Sequence, residues 1–268
     1  AKDKESITPI HLAALTGQLE ALRVFHALGA SLNVQDRNGA APVHLAASRG
    51  HSETLGFLYE VGAVLDMRDK LSCTPVHYAA GEGQLEALRF LHSKYMDLCA
   101  QAVGGFTPVH CAAREGQLDI IKFFREIGVD LDIQDEKGAV AAHSAASSGK
   151  LDVLRVLHEM GVSLSTPDAT GDTPLHFAVY KGQTEAIKLL HELGASLDEQ
   201  DLKGNTALHK AVHKGAVETI RVLLQLGASR DLENVRGATS LNLCQAIKDK
   251  CYDSAEWQKI QELLETIE

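Results

Sequence analysis

Seven histidines recur along the chain, each 33 residues after the one before it. They are His11, His44, His77, His110, His143, His176 and His209. Imidazole is a common metal ligand and general base, so a histidine beside a threonine and a proline, as in "TPVHYAA", is a candidate for either role. One active site does not need seven equally spaced copies. The spacing therefore favours a structural role that is repeated along the chain.

Other patterns that could support catalysis or metal binding are incomplete. Equivalent helices in neighbouring repeats lie about 8–10 Å apart, too far for their histidines to share one zinc at about 2.0–2.1 Å. The "HEMG" and "HELG" stretches at His158 and His191 lack the second histidine of a zinc-protease helix. No complete G-x-G-x-x-G, phosphate-loop or G-x-S-x-G motif occurs. The sequence predicts no enzyme activity, no cofactor and no metal.

Composition limits the environment and the partners. The chain of 268 residues has a formal charge of −10 and lacks an apolar run long enough to cross a bilayer. Its five cysteines form neither a C-x-x-C pair nor a regular framework, which predicts reduced thiols. We expect a cytoplasmic protein, monomeric, without membrane insertion and without affinity for nucleic acid.

The 33-residue period predicts a pair of helices in each repeat. Six residues after each of the seven histidines lies a glycine, and a second glycine follows the next apolar stripe in most repeats. "GQLEALRVFHALG" has apolar residues at helical spacing and ends at Gly29, which suits a left-handed C-terminal cap. The Ala-rich "TPIHLAALT" is a shorter helix, and the connector with Asp36, Asn38 and Gly39 predicts a hairpin-like turn.

The position of each histidine within its helix predicts what it does. Thr74 suits an N-cap, Pro75 the first helical position, and His77 then occupies the third position. From there the imidazole can reach back to the cap, as a capping-box residue does. We interpret these histidines as caps that also bridge neighbouring repeats.

The motif "G-x-TPLH-x-AA-x-x-G", followed by "LGASLD-x-QD", resembles the ankyrin repeat. The resemblance implies an all-α helix-turn-helix solenoid with projecting β-hairpin fingers and about eight repeats. It implies a single array over 1–268, with the last repeat extended as a C-terminal cap. The repeats fall near 1–33, 34–66, 67–99, 100–132, 133–165, 166–198, 199–231 and 232–268. Because Ala1 begins directly at a finger, we expect a piece of a longer protein.

Three places depart from the pattern. The eighth repeat is longer by six residues, and its last helix has one apolar face and one charged face, as expected of a terminal cap. At the third-to-fourth junction Tyr95 replaces the capping glycine, Ala102 replaces the turn aspartate, and Phe106 follows an unusual Gly104–Gly105 pair. This finger has either drifted neutrally or contacts a partner through Phe106. In the fifth repeat Val140 stands at the N-cap without the usual threonine, which predicts a weak point in the array.

The resemblance implies that partners bind to the fingers and to a concave face of inner helices. Basic residues outnumber acidic ones there, so we expect a protein or peptide partner with acidic and apolar character. Our candidate contact residues are Arg68, Lys70, Leu71, Phe106, Arg114, Tyr180, Lys181 and Lys203. Tyr78 and Phe177 are either further anchors or core residues.

Two functions remain open at this stage. The predicted function is a non-catalytic interaction scaffold, and the alternative is a regulatory or targeting segment of a larger enzyme, channel or secreted effector. Asn33 matches the asparagine that a hydroxylase modifies in many ankyrin-like repeats, which makes it a candidate for that modification.

Overall fold

A computed structural model describes residues 5–248 and 255–265. The start of the first predicted repeat, part of the loop in the C-terminal cap, and the last three residues lie outside this range. The chain divides into two compact units, residues 1–136 (unit 1) and 137–268 (unit 2). Whether 1–268 behaves as a single array stays a prediction.

Unit 1 contains four helix pairs. Each pair consists of a first helix that carries the periodic histidine and a second helix that carries the long apolar side chains. The first helices are α1 (Pro9–Leu15), α3 (Pro42–Ser48), α5 (Pro75–Gly81) and α7 (Pro108–Glu115). The second helices are α2 (Leu19–Ala27), α4 (Ser52–Glu60), α6 (Leu85–Ser93) and α8 (Leu118–Glu126). A short 3-10 turn, Val103–Gly105, precedes α7.

Unit 2 repeats the same pattern, except that its last repeat has Asn242 at the position of the periodic histidine. Its first helices are α9 (Ala141–Ser147), α11 (Pro174–Lys181), α13 (Ala207–Lys214) and α15 (Ser240–Lys248). Its second helices are α10 (Leu151–Glu159), α12 (Thr184–Glu192), α14 (Val217–Gln225) and α16 (Ala255–Glu265). Ile260 and Leu264 of α16 are buried, as predicted for a terminal helix with one apolar face.

Small residues let neighbouring first helices pack closely within each unit. Ala14, Ala47 and Ala80 are fully buried, and α1, α3 and α5 contact one another in sequence order. The second helices supply the bulk of the core, for example Leu55, Leu88 and Phe124, each fully buried. Burying such a side chain stabilises the fold by about 1.5–3 kcal/mol. The apolar stripe predicted from the sequence is thus the buried face.

The connectors are turns, and the described residues contain no β-strand. In the finger turn that begins at Asp36, the Oδ1 atom accepts hydrogen bonds from the backbone N–H groups of Asn38 and Ala40, at 2.7 and 2.9 Å. The finger turns at Asp69, Asp168 and Asp201 repeat this arrangement. The aspartate side chain therefore holds each turn in shape, and the expected β-hairpin fingers are turns without paired strands in the described residues.

Each finger turn is joined to the next one in its unit by a backbone hydrogen bond. The N–H of Lys70 donates to the carbonyl of Asn38 at 2.9 Å, and that of Leu202 donates to Thr170 at 3.0 Å. A Cβ on Gly39 would lie 2.7 Å from the Lys70 nitrogen, and φ at Gly39 is +83°. Both the backbone conformation and the close approach therefore favour glycine over any residue with a side chain at Gly39.

The periodic histidines cap their helices as predicted. The backbone N–H of Thr74 donates to Nδ1 of His77 at 3.1 Å, and the Thr74 hydroxyl lies 2.9 Å from the same atom. With Nδ1 accepting, Nε2 carries the proton and donates to the Phe106 carbonyl, 29 residues along the chain, at 3.1 Å. His77 is buried. The interpretation as a cap is confirmed. The bridge to the next repeat is confirmed at His77 and also at His11, His44, His143 and His209, whereas Nε2 of the buried His176 has no hydrogen-bond partner among the described residues.

Tyr95 and Ser72 occupy backbone conformations that glycine normally adopts. Their φ angles are +59° and +60°, whereas the corresponding positions Gly62 and Gly39 have +80° and +83°. A side chain in this region costs roughly 1 kcal/mol. Tyr95 therefore keeps the backbone conformation of the glycine that it replaces, and the predicted departure is one of residue type.

Candidate functional site

The candidate residues of unit 1 lie around the finger turns and the end of α7. Arg68 is exposed, but its Nη1 atom donates to the carbonyls of Ser72 and Gln101 at 3.0 and 2.7 Å. One guanidinium group therefore ties two successive fingers together. Arg68 has a structural task in addition to any contact it makes with a partner.

Phe106 is half-buried rather than projecting. Its ring centroid lies 5.0 Å from that of His110, and the guanidinium carbon of Arg114 lies 5.2 Å from the Phe106 centroid. The Nε atom of Arg114 also donates to the Glu115 carboxylate at 2.9 Å. Phe106 and Arg114 form one packed surface whose positive charge is already paired with an acid.

The finger tips of unit 1 carry exposed apolar side chains. Leu71 is 63% exposed and Val103 is 62% exposed, and the Val103 N–H donates to the Leu71 carbonyl at 2.8 Å. Lys70, next to Leu71, is exposed. Lys70 and Leu71 were predicted from the sequence as contact residues and Val103 was not, although Val103 follows the turn position of Ala102 and is therefore a tip residue.

The candidate residues of unit 2 lie at the ends of α11 and α13. Tyr180 is 63% exposed, and the Nζ atoms of Lys181 and Lys214 lie 5.8 and 5.1 Å from the centroid of its ring. Lys214 Nζ also donates a hydrogen bond to the backbone carbonyl of Tyr180. The structure thus groups two of the selected residues, Tyr180 and Lys181, with a further lysine, Lys214.

A second lysine of α13 is neutralised by two carboxylates. Lys210 Nζ lies 2.7 Å from Asp172 Oδ1 and 2.7 Å from Asp201 Oδ2. Burial alone would raise the pKa of Asp201, but hydrogen bonds from Lys210 and Asn205 hold that pKa below its ordinary value. Burial alone would lower the pKa of Lys210, yet the two carboxylates raise it. Lys210 is therefore protonated, and its ammonium group is already bound by two carboxylates.

The finger tips of unit 2 also expose apolar side chains. Leu202 is 75% exposed and Val235 is 72% exposed, and the Val235 N–H donates to the carbonyl of Lys203 at 3.0 Å. Lys203 is exposed beside Leu202. Leu202 and Val235 occupy the first position after the turn residues Asp201 and Asn234. The position directly after the turn residue therefore identifies Leu202 and Val235 from the sequence.

The two aromatic residues with alternative interpretations are partly packed. Tyr78 is half-buried, and its hydroxyl donates to Asp69 Oδ2 at 2.8 Å. Burial, followed by this hydrogen bond and the Asp69 charge, raises the pKa of Tyr78. Phe177 is half-buried and packs edge-on against His143 at 4.8 Å. Both side chains have intramolecular partners.

Groups suited to metal or thiol chemistry do not assemble in the described residues. No cluster of three or more His, Cys, Asp or Glu side chains there has the geometry to hold a metal ion. Burial raises the pKa of the Cys73 thiol to about 11 and that of Cys111 to about 12, so both are protonated near neutral pH. Over the same residues, no helix combines the length and apolarity needed to span a membrane.

Comparison with known proteins agrees with this geometry. Models described as ankyrin repeats in three copies match residues 61–135 and 110–201, and models described as ankyrin repeats in many copies match 180–224 and 1–46. A single ankyrin repeat matches 38–70. The chain belongs to the ankyrin repeat family. Ankyrin repeats are a protein-interaction fold, so protein partners follow from membership.

A solved structure supports the same assignment. The crystal structure of the human ASB11 ankyrin repeat domain matches with a TM-score of 0.69 and 26% sequence identity. The match covers 83% of this chain and 99% of that chain. No curated protein sequence matches significantly. The predicted fold class, an all-α ankyrin-repeat solenoid, is confirmed.

Proposed function

We propose that this ankyrin repeat protein is a non-catalytic interaction module that binds a protein or peptide on its finger turns and first helices. In unit 1 the proposed contacts are Arg68, Lys70, Leu71, Phe106 and Arg114. In unit 2 they are Tyr180, Lys181 and Lys203, joined by the tip residues Leu202 and Val235. The module acts as a cytoplasmic monomer, and the free thiols of its described cysteines are compatible with a reducing compartment.

The observation that carries this proposal is the exposure of large apolar side chains on adjacent finger turns. Leu202 and Val235 are each more than 70% exposed although their backbones are held by hydrogen bonds to neighbouring fingers. Contiguous apolar groups with charged neighbours are typical of interaction sites, because their burial supplies binding energy. Rigid backbone beneath them lowers the entropic cost of binding.

The chemistry of the partner follows from what surrounds these tips. Lys203 and Arg236 flank Leu202 and Val235 in sequence, and Lys70 flanks Leu71. We therefore propose a partner segment in which acidic residues alternate with aliphatic or aromatic ones. Complementary charge speeds association, whereas the apolar contacts slow dissociation.

A peptide selection tests the proposal. Random 12-residue peptides displayed on phage are selected on the purified chain, and the recovered peptides are titrated against the Leu202→Ser/Val235→Ser double variant. We expect the Kd to rise at least tenfold, which corresponds to about 1.4 kcal/mol. Leu28→Ser is the matched control, because Leu28 is 77% exposed but follows the second helix α2.

Two results would contradict the proposal. One is that the selected peptides bind the finger-tip double variant as tightly as the parent. The other is that Leu28→Ser weakens binding as much as the double variant does, which would place the site on the second helices.

A further inference from the structure

Two ammonium groups of unit 2 share one exposed aromatic ring. Lys181 Nζ and Lys214 Nζ lie 5.8 and 5.1 Å from the centroid of the Tyr180 ring, within the range of cation–π attraction. Lys214 is held there by its hydrogen bond to the Tyr180 carbonyl, a contact between residues 34 positions apart. The fold thus places two positive charges beside one apolar surface.

These charges are not balanced within the described part of the unit. The ion pairs there join Lys188 to Glu185, Lys210 to Asp172 and Asp201, and Arg221 to Glu218. No described carboxylate lies within ion-pair distance of Lys181 or Lys214. Of the three lysines on α11 and α13, only Lys210 forms ion pairs with described carboxylates.

The imbalance has a direction along α13. Lys210 and Lys214 are four residues apart, so their side chains project from the same face of the helix. At the Lys210 end the two aspartates outweigh one lysine. At the Lys214 end, no described carboxylate lies within ion-pair distance of Lys214 or of Lys181 at the end of α11. A partner segment that lies along this face therefore meets a positive potential at the C-terminal ends of the helices, not at the base of the fingers.

We propose that Lys181 and Lys214 form a seat for a carboxylate side chain of the partner, with Tyr180 contacting the apolar stem of that side chain or its neighbour. This inference rests on the proposed function, since it concerns a residue of the same peptide ligand. It assigns the acidic residue of the peptide to the ends of α11 and α13 and an apolar residue of the same peptide to the finger tips Leu202 and Val235.

The cations of the seat are ammonium groups. No arginine occurs between Arg155 and Arg221, so the cations of α11 and α13 are all lysines. A guanidinium group offers two parallel donors that match a carboxylate or a phosphate, whereas an ammonium group is a point charge that attracts either one. We commit to the carboxylate of an unmodified acidic peptide, and a phosphoserine substitution in the peptide distinguishes the two anions.

The two lysines also have a structural role at their helix ends, and the experiment must distinguish that role from peptide binding. Lys181 and Lys214 are the last residues of α11 and α13, where a positive charge interacts favourably with the helix carbonyls. That role predicts an effect on stability and none on peptide choice. Peptide selection therefore has to be measured together with thermal unfolding.

The experiment compares three forms of the full chain. Random 12-residue phage peptides are selected on the parent, on Lys181→Glu/Lys214→Glu, and on the control Lys188→Glu/Arg221→Glu. The control makes the same change of net charge on the second helices α12 and α14. We expect the parent and the control to enrich Asp and Glu, and the Lys181/Lys214 variant to enrich Lys and Arg instead.

Titration of one parent-selected peptide sharpens the result. Its Kd should rise at least tenfold on the Lys181→Glu/Lys214→Glu variant and change less than twofold on the control. The difference should shrink as salt rises from 50 to 500 mM, because exposed charges are screened. Replacing the peptide's acid by phosphoserine should not tighten binding.

The outcomes distinguish this inference from the proposed function. If peptides require Leu202 and Val235 but show no acidic enrichment, or if phosphoserine binds tenfold more tightly, the carboxylate seat is wrong and the interaction module stands. If peptides bind every variant equally, the proposed function itself fails. If charge reversal lowers the melting temperature but leaves peptide enrichment unchanged, the lysines are helix caps only.

Discussion

The two units have the same repeat register but use their charged residues differently. In unit 1 Arg68 is bonded to two backbone carbonyls, and Arg114 is paired with Glu115 and packed on Phe106. In unit 2 Lys210 binds two aspartates, and Lys181 and Lys214 have no described carboxylate partner. Arg68 and Arg114 of unit 1 thus have polar partners of the opposite or partial negative charge within the unit, whereas no described carboxylate pairs with Lys181 or Lys214 of unit 2.

One register position illustrates the difference. Tyr78 and Lys210 both follow the periodic histidine, and each contacts the aspartate nine residues earlier, at 2.8 and 2.7 Å. Tyrosine satisfies that contact with a neutral hydroxyl, whereas lysine introduces a charge that also recruits Asp172. A single residue type thus decides whether the base of a finger is an uncharged hydrogen bond or an ionic cluster.

The largest effect is expected when Lys210 is replaced by methionine. Methionine keeps much of the side-chain volume but leaves Asp201, which is buried, and Asp172 without their counterion. Removing one partner of a buried ion pair lowers the free energy of unfolding by about 3–5 kcal/mol. Because Lys210 is partly exposed, we expect a smaller loss, about 2–3 kcal/mol, measured by urea unfolding.

Tyr78→Phe is the matched variant in unit 1, because it removes only the hydroxyl group from the corresponding contact. We expect a loss of about 1 kcal/mol. If the two variants cost the same, the contrast between a neutral and an ionic finger base is wrong. Adding Asp172→Asn to Lys210→Met should recover part of the loss.

Acid should destabilise both units through their buried histidines. Burial lowers the pKa of His44, His77 and His176 below the ordinary value of 6.5. The unfolded chain therefore binds more protons than the folded chain once the pH falls below about 6.5, and the free energy of unfolding decreases from there. The stabilisation is fully present above pH 6.5 and is lost on acidification.

Urea unfolding between pH 7.5 and 5.0 measures this dependence. Each tenfold change in proton affinity corresponds to about 1.4 kcal/mol, so His77→Ala should unfold at lower urea and also show a weaker pH dependence. His213→Ala is the control, because His213 is exposed on α13. An identical pH dependence in the parent and His77→Ala would contradict the assignment.

A threonine at position 140 should strengthen the first repeat of unit 2. Val140 is fully buried and keeps the backbone bond to Nδ1 of His143 at 3.1 Å, but it lacks the hydroxyl that Thr74 and Thr173 place 2.9 Å from their histidines. Val140→Thr is nearly isosteric and adds this contact. We expect a gain of about 0.5–1 kcal/mol.

Thermal unfolding with hydrogen exchange of α9 tests this gain, and Thr173→Val should lose a similar amount in the same assay. A destabilised Val140→Thr variant, or an unprotected α9, would show that the hydroxyl does not reach the imidazole and that the predicted weak point has another cause.

The smallest effect is expected at Tyr95. Its side chain is 95% exposed and its φ of +59° is costly for a residue other than glycine. Tyr95→Gly should therefore stabilise unit 1 by about 0.5–1 kcal/mol, measured as a higher urea midpoint. Gly62→Tyr is the reciprocal control and should destabilise by a comparable amount, since Gly62 has φ of +80° and open space at its Cβ. Equal stability of Tyr95→Gly and the parent would mean that the strain is absent.

The sequence predicted those features that depend on local register. Helix boundaries, the histidine caps and the turn aspartates follow from short-range spacing, because each involves residues within four positions of one another. The irregular finger was also visible, since Ala102 cannot accept the bonds that Asp69 accepts.

The contacts between repeats were harder to predict. Nothing local indicates that Arg68 reaches the carbonyl of Gln101, 33 residues away, or that Lys214 reaches the carbonyl of Tyr180. The paired charges around Lys210 depend on which side chains of two fingers converge. Such contacts are set by the stacking distance, which the residues of one repeat do not encode alone.

The histidine link also bears on how such a chain changes length during evolution. Seven of the eight repeats carry the periodic histidine, as in His77, and the residue before the N-cap supplies a carbonyl acceptor, as in Phe106. A duplicated segment of 33 codons therefore brings both halves of the junction with it. The inserted repeat can form the histidine–carbonyl hydrogen bond with both of its neighbours, so the array can lengthen or shorten by whole repeats without a second mutation.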